Sequence, residues 1–149
     1  MSIYIVRGPQ GNGPMQRAAA PLPEVVMKSL VRRALDSGTS LAVRDCRCEQ
    51  ELLEVLCVAD HSPGEVTLLA PGTCVRSARL HRLLPRLHNV YIEVHDDDGH
   101  APEPRLPGTD GHRLAVAQGF RAQSYVLALE MALEYLGCNE VGNRVHVGT

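Results

Sequence analysis

The sequence has no excess of positive charge. Fifteen Lys and Arg stand against 17 Asp and Glu, for a formal charge of −2 and a pI near 6.4. A basic field able to hold nucleic acid or an anionic membrane surface is therefore not expected. Long apolar runs are missing too: none reaches the roughly 18 residues needed to span a bilayer, and the first residues lack a basic-then-apolar signal pattern. No membrane partner is expected, and a cytoplasmic location is. Paired cysteine spacing is absent as well. Cys46, Cys48, Cys57, Cys74 and Cys138 are odd in number and irregularly placed. That argues against a disulfide framework, and Cys46-x-Cys48 without a second pair lacks the spacing of a structural zinc site. Nor is there a Gly-Lys-Ser/Thr element or a dinucleotide spacing of glycines. Gly8, Gly11 and Gly13 in "GPQGNG" read as a flexible loop over a site rather than a phosphate cradle. No cofactor or metal is expected.

What is present is an alternation of strand-like and helix-like segments. At 149 residues the chain suits one domain, 1–149. Strand signals fall at Ile3 to Val6, "SLAVRD", "GEVTLLAPG", "NVYIEVH" and "RLAVAQGF". Between them, helical spacing places Met27, Leu30, Val31 and Ala34 on one stripe, then Leu53, Leu56 and Cys57, then Leu80, Leu83, Leu84 and Leu87. A last helix carries Leu129, Ala132, Leu133 and Leu136. Pro85 should shorten the third helix because it removes a backbone donor, and Gly38 and Gly137 serve as stops. "AAAPLP" reads as part of a mobile loop, and residues 138–149 read as a loose tail. Strands alternating with helices imply right-handed crossovers, so the expected fold is an α/β, flavodoxin-like three-layer sandwich with a five-stranded parallel sheet. Ligands of such sheets sit beyond the carboxyl ends of the strands, which singles out "RGPQGNGPMQR", "APGTC" and "HDDDGH".

The stretch "YIEVHDDDGH" is the densest in chemistry. Strand alternation places Glu93 and His95 on the same side. A carboxylate near an imidazole sets its tautomer and raises its proton affinity, as a general acid needs; a structural Glu and His satisfied by local hydrogen bonds is the other reading. Asp96, Asp97, Asp98 and His100 could chelate a hard cation, but three consecutive carboxylates cannot all converge and the calcium-loop spacing is absent. A solvated turn is the default. Arg17, at the end of the glycine-rich loop, could reach an anionic or carbonyl ligand, or could simply be solvated.

With these residues in view, the sequence resembles the type II 3-dehydroquinate dehydratases. "IEVH" followed by "HAPEP", and then "GFRAQSYVLALEMALEYL", are similar to that family's Ile-Glu-Val-His strand and its Gly-x-Gly-x-Gln-Gly-Tyr-x-Leu-Ala-Leu segment. Gly119, Phe120, Ala122, Gln123, Tyr125, Leu127, Ala128 and Leu129 are kept, while Arg121 and Ser124 stand where the family has glycine. Gly8 and Pro9 match the family's Asn-Gly-Pro-Asn, with Arg7 and Gln10 in place of the asparagines. Ala70 to Gly72 is similar to Asn-Pro-Gly without its asparagine.

The resemblance implies a flavodoxin-like fold, self-association as trimers or a dodecamer, and loss of water from 3-dehydroquinate through an enolate. Carried over by position, Glu93 and His95 match the acid dyad, and Arg17 is similar to the arginine of the lid. The departures are as informative. The tyrosine base has no counterpart, with Leu22 standing closest to its place. Arg76 falls at the substrate-binding histidine, Gln10 at the enolate-side asparagine and Ala70 at the asparagine that grips substrate. Leu106 falls at an arginine, and Leu83 at an aspartate that reaches a neighbouring subunit. Asp96 and Asp97 lie where the family receives a carboxylate on backbone amides. A second carboxylate about 4 Å away would cost roughly 4 kcal/mol at an intermediate dielectric.

The expectation is a repurposed lyase of specialised metabolism, carrying out acid-assisted dehydration or cyclisation of a neutral or bulkier carbonyl substrate. His95, Glu93 and Arg17 would be catalytic, and Gln10, Asn12, Asp96, Asp97, His100 and Arg76 would bind substrate. The rivals are a non-catalytic oligomeric homologue and a 3-dehydroquinate dehydratase with a different base.

Overall fold

The computed structural model describes residues 1–62, 64–108 and 112–137. Five strands, β1 (Ser2–Arg7), β2 (Ser40–Asp45), β3 (Val66–Ala70), β4 (Val90–Val94) and β5 (Arg113–Ala117), form one sheet in the order β2-β1-β3-β4-β5, with every pair parallel. The helices are α1 (Glu24–Asp36), α2 (Glu49–Ala59), α3 (Ala78–Leu83) and α4 (Gln123–Tyr135). This is the flavodoxin-like sandwich expected from the alternation. The central strand β3, "VTLLA", is buried along its whole length, as a strand covered on both faces must be.

Strand alternation divides the core into two apolar layers. Ile3, Ile5, Leu68, Ile92 and Val94 point to the layer roofed by α1 and α4, which holds Leu30, Tyr125, Leu129 and Leu133. Val6, Leu69 and Tyr91 point the other way, toward Leu52, Leu56, Leu80 and Leu84 of the α2–α3 side. The helix faces differ in detail from the spacing. In α1 the buried row is Val26, Leu30 and Ala34, with Met27 at its flank, while Val31 is 43% exposed. A row four residues apart drifts slowly around the axis, and Val31 falls off its edge. Cys57 is likewise exposed, one position beyond the Leu52/Leu56 row. Leu136 is only half-buried at the end of α4. Pro85 acts as expected: α3 ends at Leu83 and a 3-10 turn, Leu84–Arg86, follows. The tail from Cys138 lies outside the described residues. No helix among the described residues is long and apolar enough to cross a membrane.

The loops after β1 and β3 are clamped together. Gly8 N donates to Ala70 O at 2.7 Å, and Thr73 N and Oγ1 both donate to Pro9 O, at 2.9 and 3.0 Å. Gly72 makes the contact possible: its φ is +59°, and a Cβ there would meet Pro9 O at 2.4 Å. Gly38, which ends α1 at φ +67°, has open space around it. Both Gly→Ala changes therefore incur the left-handed backbone penalty of about 1–2 kcal/mol, and only Gly72→Ala adds a clash with backbone. Urea unfolding should show Gly72→Ala to be the more destabilised of the two by at least about 1 kcal/mol.

Candidate functional site

At the carboxyl ends of β1, β3 and β4 lies a cavity of about 340 Å³, on the α1–α4 side of the sheet. Ala70 and Val94 form its walls, and Ala20 and Leu22 cover it from the loop that precedes α1. Leu22 is itself packed into the core, so the end of that loop is anchored. The start is closed too, because Gln10 and Arg17 exchange backbone hydrogen bonds of 2.7 and 2.8 Å around a 3-10 turn, Gly13–Met15. The polar groups of the wall are few: Arg7, Tyr125, Gln10, Asp96 and Glu103.

Arg7 was noted from the sequence only as standing in place of a family asparagine, not as an expected site residue. It follows Ile3 and Ile5 on the same strand face, so its stem runs into the core and the residue is 5% exposed. Nε donates to the Tyr125 hydroxyl at 3.1 Å, and Nη1 to Asp45 Oδ1 at 3.0 Å, from the residue that pairs with it on β2. The guanidinium carbon also stands 5.5 Å from the Tyr125 ring centre. Nη2 has no hydrogen-bond partner among the described residues, which leaves a donor for the cavity. Burial pushes the Tyr125 phenol up to about 12 despite the opposing pull of Arg7, so this hydroxyl stays protonated.

Glu93 and His95 meet as alternation requires, but away from the cavity. The β4 side chain that reaches the cavity wall is Val94. Glu93 is fully buried, and its two oxygens accept from three groups. Oε1 takes Arg113 Nη1 at 2.8 Å, while Oε2 takes the Leu106 amide at 2.8 Å and His95 Nε2 at 2.5 Å. Burial alone would raise this carboxyl, and the bonds from His95 and Leu106 more than reverse it, so Glu93 titrates below its ordinary range. His95 is 3% exposed, and its other nitrogen, Nδ1, faces Glu103 Oε1 at 2.9 Å. Burial disfavours the imidazolium, but the hydrogen bonds and charges of Glu103 and Glu93 outweigh it and hold the pKa up at about 9. Both ring nitrogens are then donors within the chain.

The aspartates divide by role. Asp96 is exposed and lines the cavity. Asp97 turns onto its own loop, where its carboxylate accepts from the amides of Gly99 and Glu103 at 2.9 and 3.0 Å and from Gln118 Nε2 at 2.8 Å. Asp98 accepts from the His100 amide at 2.9 Å, and the exposed His100 ring stands 3.7 Å from it. Among the described residues no group of three His, Cys, Asp or Glu is arranged to hold a metal.

Of the other residues expected at a site, Gln10 lines the cavity, whereas Asn12, Arg17 and Arg76 are exposed and stand outside its wall. Arg17 Nη1 rests on Met15 O at 3.3 Å. The two buried thiols are inert by environment, since burial pushes Cys46 up to about 12 and Cys74 to about 11.

No family model matches the sequence, and no curated protein matches it. Solved structures do match in shape. A type II dehydroquinase from Butyrivibrio crossotus superposes with a TM-score of 0.66 at 16% identity, covering 89% of this chain and 97% of that one. A type II dehydroquinase from Propionibacterium acnes gives 0.67 at 17% identity, covering 89% and 98%. A 3-dehydroquinate dehydratase-like protein from Bifidobacterium longum gives 0.63 at 17% identity, covering 91% and 98%. The chain therefore has the fold of the type II dehydroquinases over nearly its whole described length.

Proposed function

We propose that the protein is a carbon–oxygen lyase that removes water from, or closes a ring in, a small neutral carbonyl compound held in the cavity at the carboxyl edge of the sheet. The observation that carries this reading is Arg7. A buried guanidinium, locked by Tyr125 and Asp45 and keeping one nitrogen for the cavity, is placed to stabilise negative charge developing on a carbonyl oxygen. Gln10 adds an amide to the same wall. The formal charges in and behind the cavity support a neutral ligand. Arg7, Arg113 and a protonated His95 face Asp45, Glu93, Asp96 and Glu103, three cations against four carboxylates. An extra carboxylate on the ligand would enter a region already negative by one charge. The dehydroquinase-like shape of the chain supports the reaction class, and 3-dehydroquinate is the first substrate to try. Val25, Val31 and Leu35, exposed on α1, supply apolar surface for self-association into trimers or larger assemblies.

A second reading is favoured by one observation. His95 is enclosed and both its nitrogens are satisfied, which is the arrangement of a structural network that ties the loop after β4 to the sheet. On this reading the homologue is non-catalytic and assembles for another purpose.

Turnover of 3-dehydroquinate and of uncharged cyclic β-hydroxyketones, followed by the ultraviolet absorbance of the conjugated enone, separates the two readings. Enone formation that falls about 10²–10³-fold in Arg7→Gln, with an unchanged circular dichroism spectrum, supports the lyase. No turnover of either compound class sinks it. The network makes its own prediction. Because the folded-state pKa of His95 is raised from 6.5 to about 9, its contribution to stability is complete below pH 6.5 and is lost as the pH rises through 9. Thermal unfolding of the native protein should weaken across that window, and His95→Gln should flatten the dependence. An equal slope in the variant would show that His95 is not the group responsible.

A further inference from the structure

The acid dyad and the cavity share no wall, and one residue joins them. Glu103 Oε1 faces His95 Nδ1 at 2.9 Å, yet the Glu103 side chain is 45% exposed and lines the cavity. Its second oxygen, Oε2, has no partner among the described residues. The backbone at this position is held from both sides. The Glu103 amide donates to Asp97 Oδ2 at 3.0 Å, and its carbonyl accepts from Gln118 Nε2 at 2.9 Å. Gln118 Nε2 also donates to that same Asp97 oxygen, at 2.8 Å, which closes a triangle around the main chain of Glu103. Behind the carboxylate, Glu93 holds His95, and Arg113 and the Leu106 amide in turn hold Glu93. A carboxylate fixed in main chain and at one oxygen, on a half-exposed side chain of a residue that lines a cavity, is the arrangement a proton-transferring group needs.

We propose that Glu103 is the group that takes and returns the proton in this cavity, and that His95 and Glu93 act through it as positioning residues. The inference rests on the lyase reading above and supplies the base that reading lacks. The ligand class is a neutral carbonyl compound with an acidic hydrogen on the adjacent carbon. The Glu103 carboxylate removes that hydrogen as a proton, and the C–H electron pair becomes the carbon–carbon double bond of an enolate. The enolate oxygen carries the negative charge, on the side of the cavity that Arg7 lines. The carbonyl then re-forms as the double bond shifts and expels a hydroxyl from the β-carbon. The leaving hydroxyl takes the proton from Glu103 and departs as water, so the carboxylate is regenerated and no co-reactant is consumed. His95 binds Oε1, which leaves Oε2 to meet the substrate. Asp97 and Gln118 act one step further back by fixing where residue 103 stands.

The test uses cyclohexanone in D2O, with loss of its α-hydrogens followed by proton NMR. Exchange needs only the first proton transfer, so it does not require the natural substrate. The native protein should accelerate exchange over buffer, and Glu103→Gln should lose the acceleration by about 10²-fold. Glu103→Asp should keep part of it. His95→Asn, whose amide can still donate to the Glu103 carboxylate, should retain more exchange than His95→Ala. Absence of exchange by the native protein, or an undiminished rate in Glu103→Gln, would overturn the proposal. The outcomes remain separable from the fate of the lyase reading. Enone formation without Glu103-dependent exchange would keep the lyase and reject this base; exchange without enone formation would keep Glu103 and reject the dehydration.

Discussion

The buried carboxylate of Glu93 is the constraint around which the carboxyl edge of the sheet is built. A charge with no solvent exposure is tolerated only when its lone pairs are filled, and three donors fill them here. Each donor comes from a different piece of chain: Arg113 begins β5, Leu106 sits in the irregular segment between β4 and β5, and His95 stands just past β4. Satisfying one carboxylate therefore fixes the path of a segment in which the described residues, 96–108, form no helix or strand. Arg113 strengthens the effect, since the same Nη1 also donates to Leu106 O at 2.8 Å. Removing Glu93 would leave a guanidinium and an imidazolium facing each other across apolar side chains.

The path set by Glu93 decides what reaches the cavity. Period-two alternation sends Val94 to the α1–α4 side and Glu93 to the other, so the dyad cannot line the wall that Val94 lines. The segment after His95 then rounds the strand end, and Asp97 turns inward to take two amides and the Gln118 side chain. That turn delivers Glu103 to the cavity with an oxygen on His95. Asp97 thus shapes the loop, and of the aspartate run only Asp96 lines this cavity.

Much of the fold was legible because it depends on periodicity. Five apolar strand signals alternating with helical ones specify a parallel sheet covered on both faces, and Pro85 marks the end of α3. The Glu93–His95 pairing was legible for the same reason. Its seclusion was not, because a sheet covered on both faces offers no pattern saying which face opens to a cavity. Arg7 was noted as a replaced asparagine but not expected at the site, since a charged residue at a strand end ordinarily marks the passage to solvent. Only the tertiary contact with Tyr125, 118 positions later, reveals that it turns inward. Glu103 escaped because "HAPEP" carries no period, and its place depends on hydrogen bonds to Asp97 and Gln118. The signal that could have found Arg7 was present: Asp45 ends the second strand signal and Arg7 directly follows the first, and opposite charges at neighbouring strand ends suggest a pair.

The comparison of charges explains why a dehydroquinase-like fold need not bind a dehydroquinase-like ligand. Where the resemblance implies an asparagine at position 7, this chain has a guanidinium, and where it implies backbone amides free to receive a carboxylate, it places Asp96. Both changes act on the same cavity, and they partly compensate. Arg7 draws negative charge toward β1, whereas Asp96 and Glu103 repel it on the side of β4. A ligand that gains negative charge on one oxygen during reaction, without bringing any at the start, suits such a division. On the proposed reading it would bind without opposing the carboxylates and be stabilised by Arg7 as the charge develops. For the reaction proposed above, this polarity would favour the transition state over an anionic ground state, which is the direction in which a binding site becomes a catalytic one.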